Sequence, residues 1–131
     1  MTTERTNIPG RPYIYQGTYE RFELSGELQI ELIMGCEWKS IIKLPLKDVL
    51  LNMTSRRFVW PTPREEDDEC YVETKFMVDR LFNLRDRKCL VLAYEVKRHR
   101  WEIEVKIEHE AGVLDIATEL VNKGLATWKK V

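Results

Sequence analysis

The chain has 131 residues, of which 44% are hydrophobic and only 11 are Gly or Pro, so it is a globular sequence of one-domain size. Lys and Arg number 21 against 22 Asp and Glu, a formal charge of −1 that excludes the strongly basic class of general nucleic-acid coat proteins. No apolar run approaches the roughly 20 residues that span a bilayer, and Met1 to Arg5 is not followed by the apolar stretch of a signal peptide. Cys36, Cys70 and Cys89 are odd in number and lack CxxC spacing, which points to reduced thiols in an intracellular, cytoplasmic protein and away from a zinc site.

Residues 1–17 read as an N-terminal tail, since Pro9-Gly10 and Pro12 break regular structure; Tyr13, Ile14 and Tyr15 would pin it to a single domain over 18–131. Phe22 and Leu24 alternate with polar residues, and Ser25-Gly26 makes a turn. Leu28, Ile30 and Leu32 then alternate with Gln29 and Glu31 as a half-buried strand. Gly35-Cys36-Glu37 is the next turn, and Lys39 to Leu46 a third strand whose end Pro45 marks as an edge or bulge. Arg56 to Trp60 has strand character and is ended by Pro61-Thr62-Pro63. The acidic run 65–69 suits the positive end of a helix over Glu69 to Leu84, whose apolar stripe is read as Val72, Phe76, Met77, Leu81 and Leu84, with Asp68 as N-cap.

Cys89 to Tyr94 has few polar residues and reads as a strand buried on both faces. Lys97-Arg98-His99-Arg100 is a basic turn. Trp101, Ile103, Val105 and Ile107 alternate strictly with Glu102, Glu104, Lys106 and Glu108, the clearest strand in the chain, with one wet face. Gly112 ends it. A second helix is predicted over Leu114 to Lys123, stopped by Gly124 as a left-handed residue, with Leu125 and Trp128 returning to the core.

The order is meander, helix, two strands, helix. It resembles the five-stranded OB-type barrel of staphylococcal-nuclease-like (SNase-like) domains, mainly β with two helices. Ile116 to Ala126, with Glu119-Leu120-Val121-Asn122-Lys123-Gly124-Leu125-Ala126 at its end, is similar to the "ELLVxxGLA" helix ending of that family, which also closes the extended Tudor (Tudor-SN) domains. Two registers compete for the first half. In the nuclease register Ser25-Gly26-Glu27 overlies the family's Asp-Gly-Asp turn, and Lys43 to Leu51 its Arg-Leu-x-Gly-Ile-Asp-x-Pro-Glu segment. In the Tudor register Leu44 to Leu51 overlies the end of a Tudor barrel, and Leu32 to Cys36 its Phe-Ile-Asp-Tyr-Gly strand. An extended Tudor domain needs more chain, so the plain nuclease-like barrel is favoured.

The resemblance implies phosphodiester hydrolysis with calcium-binding carboxylates, a glutamate that positions water, and two arginines. Here Glu27 and Asp48 would supply carboxylates, Lys43 replaces one arginine, Arg100 or Arg98 matches the other, and Leu51 stands where the glutamate belongs. Losing a general base costs about 10²–10⁴ in rate, so no enzyme, no catalytic residue, no metal and no cofactor is expected. Recognition of methylated arginine needs an aromatic box, and Trp38 beside Met34 to Cys36 is one aromatic only. His99 and His109 sit in no metal-ligand pattern.

A non-catalytic adaptor that binds another protein or peptide is the expected function. Relatives by resemblance serve RNA-silencing or ribonucleoprotein complexes and granules. Tyr13, Tyr15, Trp38 and Trp60 are the candidate anchors. Strand addition from a partner, or self-association through residues 9–17, are further docking modes. The alternative is a single-stranded RNA or DNA-binding OB domain, weak and centred on Lys97, Arg98, Arg100 and Trp101. No membrane is expected as a partner.

Overall fold

A computed structural model of the chain describes residues 11–33, 39–52 and 69–129. These residues are mainly β with two helices. Three strands open it: β1 (Tyr13–Phe22), β2 (Glu27–Ile33) and β3 (Lys39–Pro45). They pair as an antiparallel meander, with Tyr19 opposite Ile30 and Ile30 opposite Ile42. Leu28, Ile30 and Leu32 are buried, as their alternation requires. On β1 the buried positions change parity, from Gly17 and Tyr19 to Phe22, across a bulge between Tyr19 and Arg21. Strand β1 takes in Tyr13 to Gly17, so the sheet begins within the segment expected to be tail. These residues pair with β5 (Lys88–Lys97), Tyr13 opposite Ala93 and Gly17 opposite Cys89.

Strand β5 continues through a tight turn into β6 (Arg100–His109), which pairs in turn with β7 (Gly112–Asp115). The six strands form one antiparallel sheet in the order β3-β2-β1-β5-β6-β7. Among the described residues no continuous ladder joins its far strands into a barrel. Just past β3, however, Leu46 makes an isolated parallel bridge with Ile103 of β6, and the Lys47 N–H donates to the Ile103 carbonyl at 2.8 Å. Two short strands, β4 (Val49–Leu51) and β8 (Ala126–Trp128), make a separate antiparallel pair.

The helices α1 (Glu69–Asn83) and α2 (Ile116–Asn122) complete the core. Against the sheet α1 presents Tyr71, Thr74, Val78, Leu81 and Phe82. The expected stripe is therefore only partly right: Leu81 is inward and Met77 half-buried, but Val72 and Phe76 point to solvent at 47% and 66% exposure, and Leu84 is also exposed. The physical reason is hydrogen bonding. Thr74 Oγ1 donates to the Cys70 carbonyl at 2.6 Å and the Tyr71 hydroxyl to the Phe22 carbonyl at 2.9 Å, so a face with two hydroxyls can be buried without orphan donors. Tyr19 stacks on Phe82 with ring centroids 4.0 Å apart, and its hydroxyl donates to Asp79 Oδ1 at 2.6 Å.

Helix α2 starts two residues later than expected, because Gly112–Asp115 forms β7 and Asp115 caps the helix. Its end follows expectation: Gly124 has φ 76°, and the Leu125 N–H donates to the Leu120 carbonyl at 2.9 Å while its side chain re-enters the core. Trp128 does not pack inward as expected; it stands half exposed on β8. Among the described residues no helix is long and apolar enough to cross a membrane.

Candidate interaction surface

Strands β5 and β6 project past the core as a hairpin whose tip is Arg98-His99. His99 has φ 62°, and its N–H donates to Glu95 Oε2 at 3.3 Å. A register shift between Glu95 and Lys97 widens the tip, and Lys97, Arg98, His99 and Arg100 are all exposed. Trp101 lies opposite Glu95 on the same sheet face as Ala93, and Ala93 lies opposite Tyr13. The register thus carries Tyr13 to Trp101, with ring centroids 5.6 Å apart and planes tilted by 52°. One member of each candidate set meets the other here, 88 residues apart in sequence: the aromatic anchor Tyr13 from β1 and Trp101 of the basic hairpin. Tyr13 is 36% exposed. Tyr15, its neighbour in the same set, is half-buried against the core. Trp38 and Trp60 lie outside the described residues, as do Cys36, the Arg56 to Trp60 segment and most of the acidic run.

Behind the hairpin a small cleft of about 150 Å³ opens between the Gly26 turn, Leu46, Leu51, Arg100 and Lys129. At its wall Glu102 is only 5% exposed, although β6 alternation assigns it to the wet face. Arg100 Nε and Lys129 Nζ lie 3.9 and 3.7 Å from its Oε2. Lys129 and buried Glu102 had no sequence signal: the β4–β8 pair covers this end of β6, and two three-residue strands do not register as a pattern.

Of the residues named for the nuclease register, Leu51 and Arg100 line this cleft. Leu51 is buried, and a Cβ on Gly26 would lie 3.0 Å from its Cδ1. Lys43 Nζ is held by Glu23 Oε1 at 3.2 Å. Glu27 accepts from Ser25 Oγ at 3.1 Å. Exposed Asp48, at φ 65°, pairs with Lys47 Nζ at 2.6 Å. Lys47 Nζ also sits 4.8 Å from the centroid of the Tyr94 ring. Tyr94 donates to Glu104 Oε1 at 2.5 Å; burial first, then that bond and the negative charge of Glu104, Asp48 and Asp115, push its phenol up to about 12.

Burial pushes the Cys89 thiol up to about 12, and its Sγ–H points at the Gly17 carbonyl, 3.6 Å away. Among the described residues no group of three His, Cys, Asp or Glu is arranged to hold a metal ion. The outer face of β2 and β3 carries paired charges, Lys39 Nζ to Glu31 at 3.8 Å and Lys43 Nζ to Glu23. Comparison with protein-family models, with curated proteins and with solved structures finds no match to the chain.

Proposed function

We propose that the chain is a non-catalytic module that binds another protein through the Tyr13–Trp101 surface. The observation that carries this reading is the Tyr13–Trp101 ring pair, 5.6 Å apart beside the exposed Lys97 to Arg100 turn. Tyr, Trp and Arg are the side chains most enriched at the energetic centres of protein interfaces. An acidic peptide segment suits the cations of the turn.

The scaffold is proposed to be an OB-type barrel of the nuclease-like kind. The Leu46–Ile103 bridge would close the strand cycle β1-β2-β3-β6-β5-β1, and the ending at Gly124-Leu125 fits the same fold. The absence of catalysis rests on Leu51, an apolar core residue where the nuclease register needs a carboxylate. By the same resemblance the partner belongs to an intracellular RNA-silencing or ribonucleoprotein complex, a fold-level analogy.

Single-stranded nucleic acid is the second reading, favoured by the same pairing of an aromatic platform with arginines. The ion-paired β2–β3 face and the charge of −1 weigh against it. Capture from a cell extract decides between them. Wild type should retain a protein partner, and Trp101→Ala or the Arg98→Glu, Arg100→Glu pair should lose it with the fold intact by circular dichroism. Equal capture by all three would refute the assignment of the surface. Tight, salt-sensitive binding of a labelled single-stranded oligonucleotide that is lost in the Arg pair would put nucleic acid first. Calcium-dependent cleavage of that oligonucleotide by wild type would overturn the non-catalytic reading.

A further inference from the structure

Helix α1 is apolar on two sides. One side, Tyr71, Thr74, Val78 and Phe82, is consumed by the core. The opposite side carries Val72 and Phe76, one turn apart, in solvent. Spacing of 100° per residue puts Phe76 at the centre of the outward face, with Glu73 and Arg80 together on one flank. Both are exposed, and among the described residues neither makes an ion pair. Val72 and Phe76 make a short apolar strip on an outward side that also carries exposed Glu73, Arg80 and Asn83.

We propose that this face is covered by α1 of a second copy of the chain, running antiparallel about a two-fold axis. The charges select this occupant. Glu73 and Arg80 are seven residues, or about 10.5 Å, apart along the axis, and their midpoint falls between Phe76 and Met77. A two-fold axis through that midpoint sets each Glu73 beside Arg80 of the second copy. It keeps both pairs on the same flank, because an antiparallel two-fold lying in the interface does not exchange flanks. The two Phe76 rings meet at the centre, and Val72 lies beside them. A parallel pairing, about a two-fold along the helices, would exchange the flanks and form neither Glu73–Arg80 pair. The inference is independent of the hairpin surface and stands or falls apart from it. The helix is 15 residues long, about 22 Å, so the contact is below the size of a permanent interface and the dimer is reversible and concentration-dependent.

Sedimentation equilibrium of the full chain over a concentration series tests it. The expected result is a monomer–dimer equilibrium that Phe76→Ala weakens by about tenfold or more. Glu73→Arg and Arg80→Glu should each weaken it, and the double variant with both changes should restore it, since the pairs are then only reversed. All three side chains are solvent-exposed, so unchanged circular dichroism is expected throughout. As a second measurement, Phe76→Cys should cross-link to its own copy at that position under oxidation, read by mass spectrometry of the linked peptide. A chain that stays monomeric at every concentration overturns the proposal. So does a dimer indifferent to Phe76→Ala, or one that the charge reversal fails to restore; the indifferent dimer would place the contact elsewhere, and the unrestored one would set α1 against another surface of the second copy.

Discussion

Gly17 shows how one residue fixes a strand. It lies in β1 between Leu32 of β2 and Cys89 of β5, and an added Cβ would sit 2.7 Å from Ile30 Cγ2 and 3.3 Å from the Glu31 carbonyl oxygen. A methyl group there requires the neighbours to move. Gly17→Ala is therefore expected to destabilise the fold by about 1–3 kcal/mol, the usual range for overpacking, read as a lower urea midpoint at unchanged slope. A midpoint equal to wild type would show that the β1–β2 crossing yields freely. In the sequence Gly17 looked like the end of a tail, because a glycine that makes room for a neighbouring side chain is indistinguishable from one that makes a turn. Tyr13 was legible as an aromatic worth noting, but its meeting with Trp101 follows only from the β1–β5 register. Leu51 was legible as a core residue, and it is buried as an apolar residue is.

At the scale of elements, strict alternation made β6 and β2 readable, and the Gly124 ending made the close of α2 readable. Short elements were not. The last two residues of β7, Leu114 and Asp115, were absorbed into the predicted helix because Leu114 falls in helical register with Ala117 and Val121. What separates the two is Asp115, in extended conformation at φ −102°, whose Oδ2 accepts from the Thr118 N–H at 3.1 Å and from Thr118 Oγ1 at 2.8 Å. Asp115→Ala removes this cap and should cost about 1 kcal/mol, whereas Asp115→Asn keeps an acceptor and should cost less. Thermal unfolding of the two variants side by side checks the order; equal losses would mean that the charge, and not the cap, matters. Helix α1 was legible in extent but not in facing, since the rule that apolar residues turn inward fails when hydroxyls find carbonyl partners within the core.

For the whole molecule, three buried or half-buried acids hold their protons longer when folded. Burial, the bond to Asp79 and the Asp79 charge push the Tyr19 phenol far up; Cys89 rises from 9.0 and Tyr94 from 10.0 to about 12 each. Below about pH 9 these groups are protonated in both states and contribute a constant. As the pH climbs past the unfolded values of 9.0 and 10.0, the unfolded chain releases protons that the folded chain retains. Unfolding free energy should therefore fall from about pH 9 towards 12. Denaturant titrations across that window should show the decline, shallower in Cys89→Ala; a level profile would contradict the burial of these groups.

The isolated parallel bridge between Leu46 and Ile103 has a consequence for how the molecule breathes. Five antiparallel ladders hold the sheet, whereas the corner after β3 is tied to β6 by the Lys47 N–H and to the last strand by the Lys129 N–H, which donates to the Asp48 carbonyl at 2.8 Å. Detaching that corner sacrifices a few hydrogen bonds and leaves every ladder of the large sheet intact. Its amide hydrogens should thus exchange with solvent through a sub-global opening that lies well below complete unfolding. Since buried Leu46 lines the cleft beside Arg100, the same opening alters the width of the cleft while the ladders of the large sheet hold.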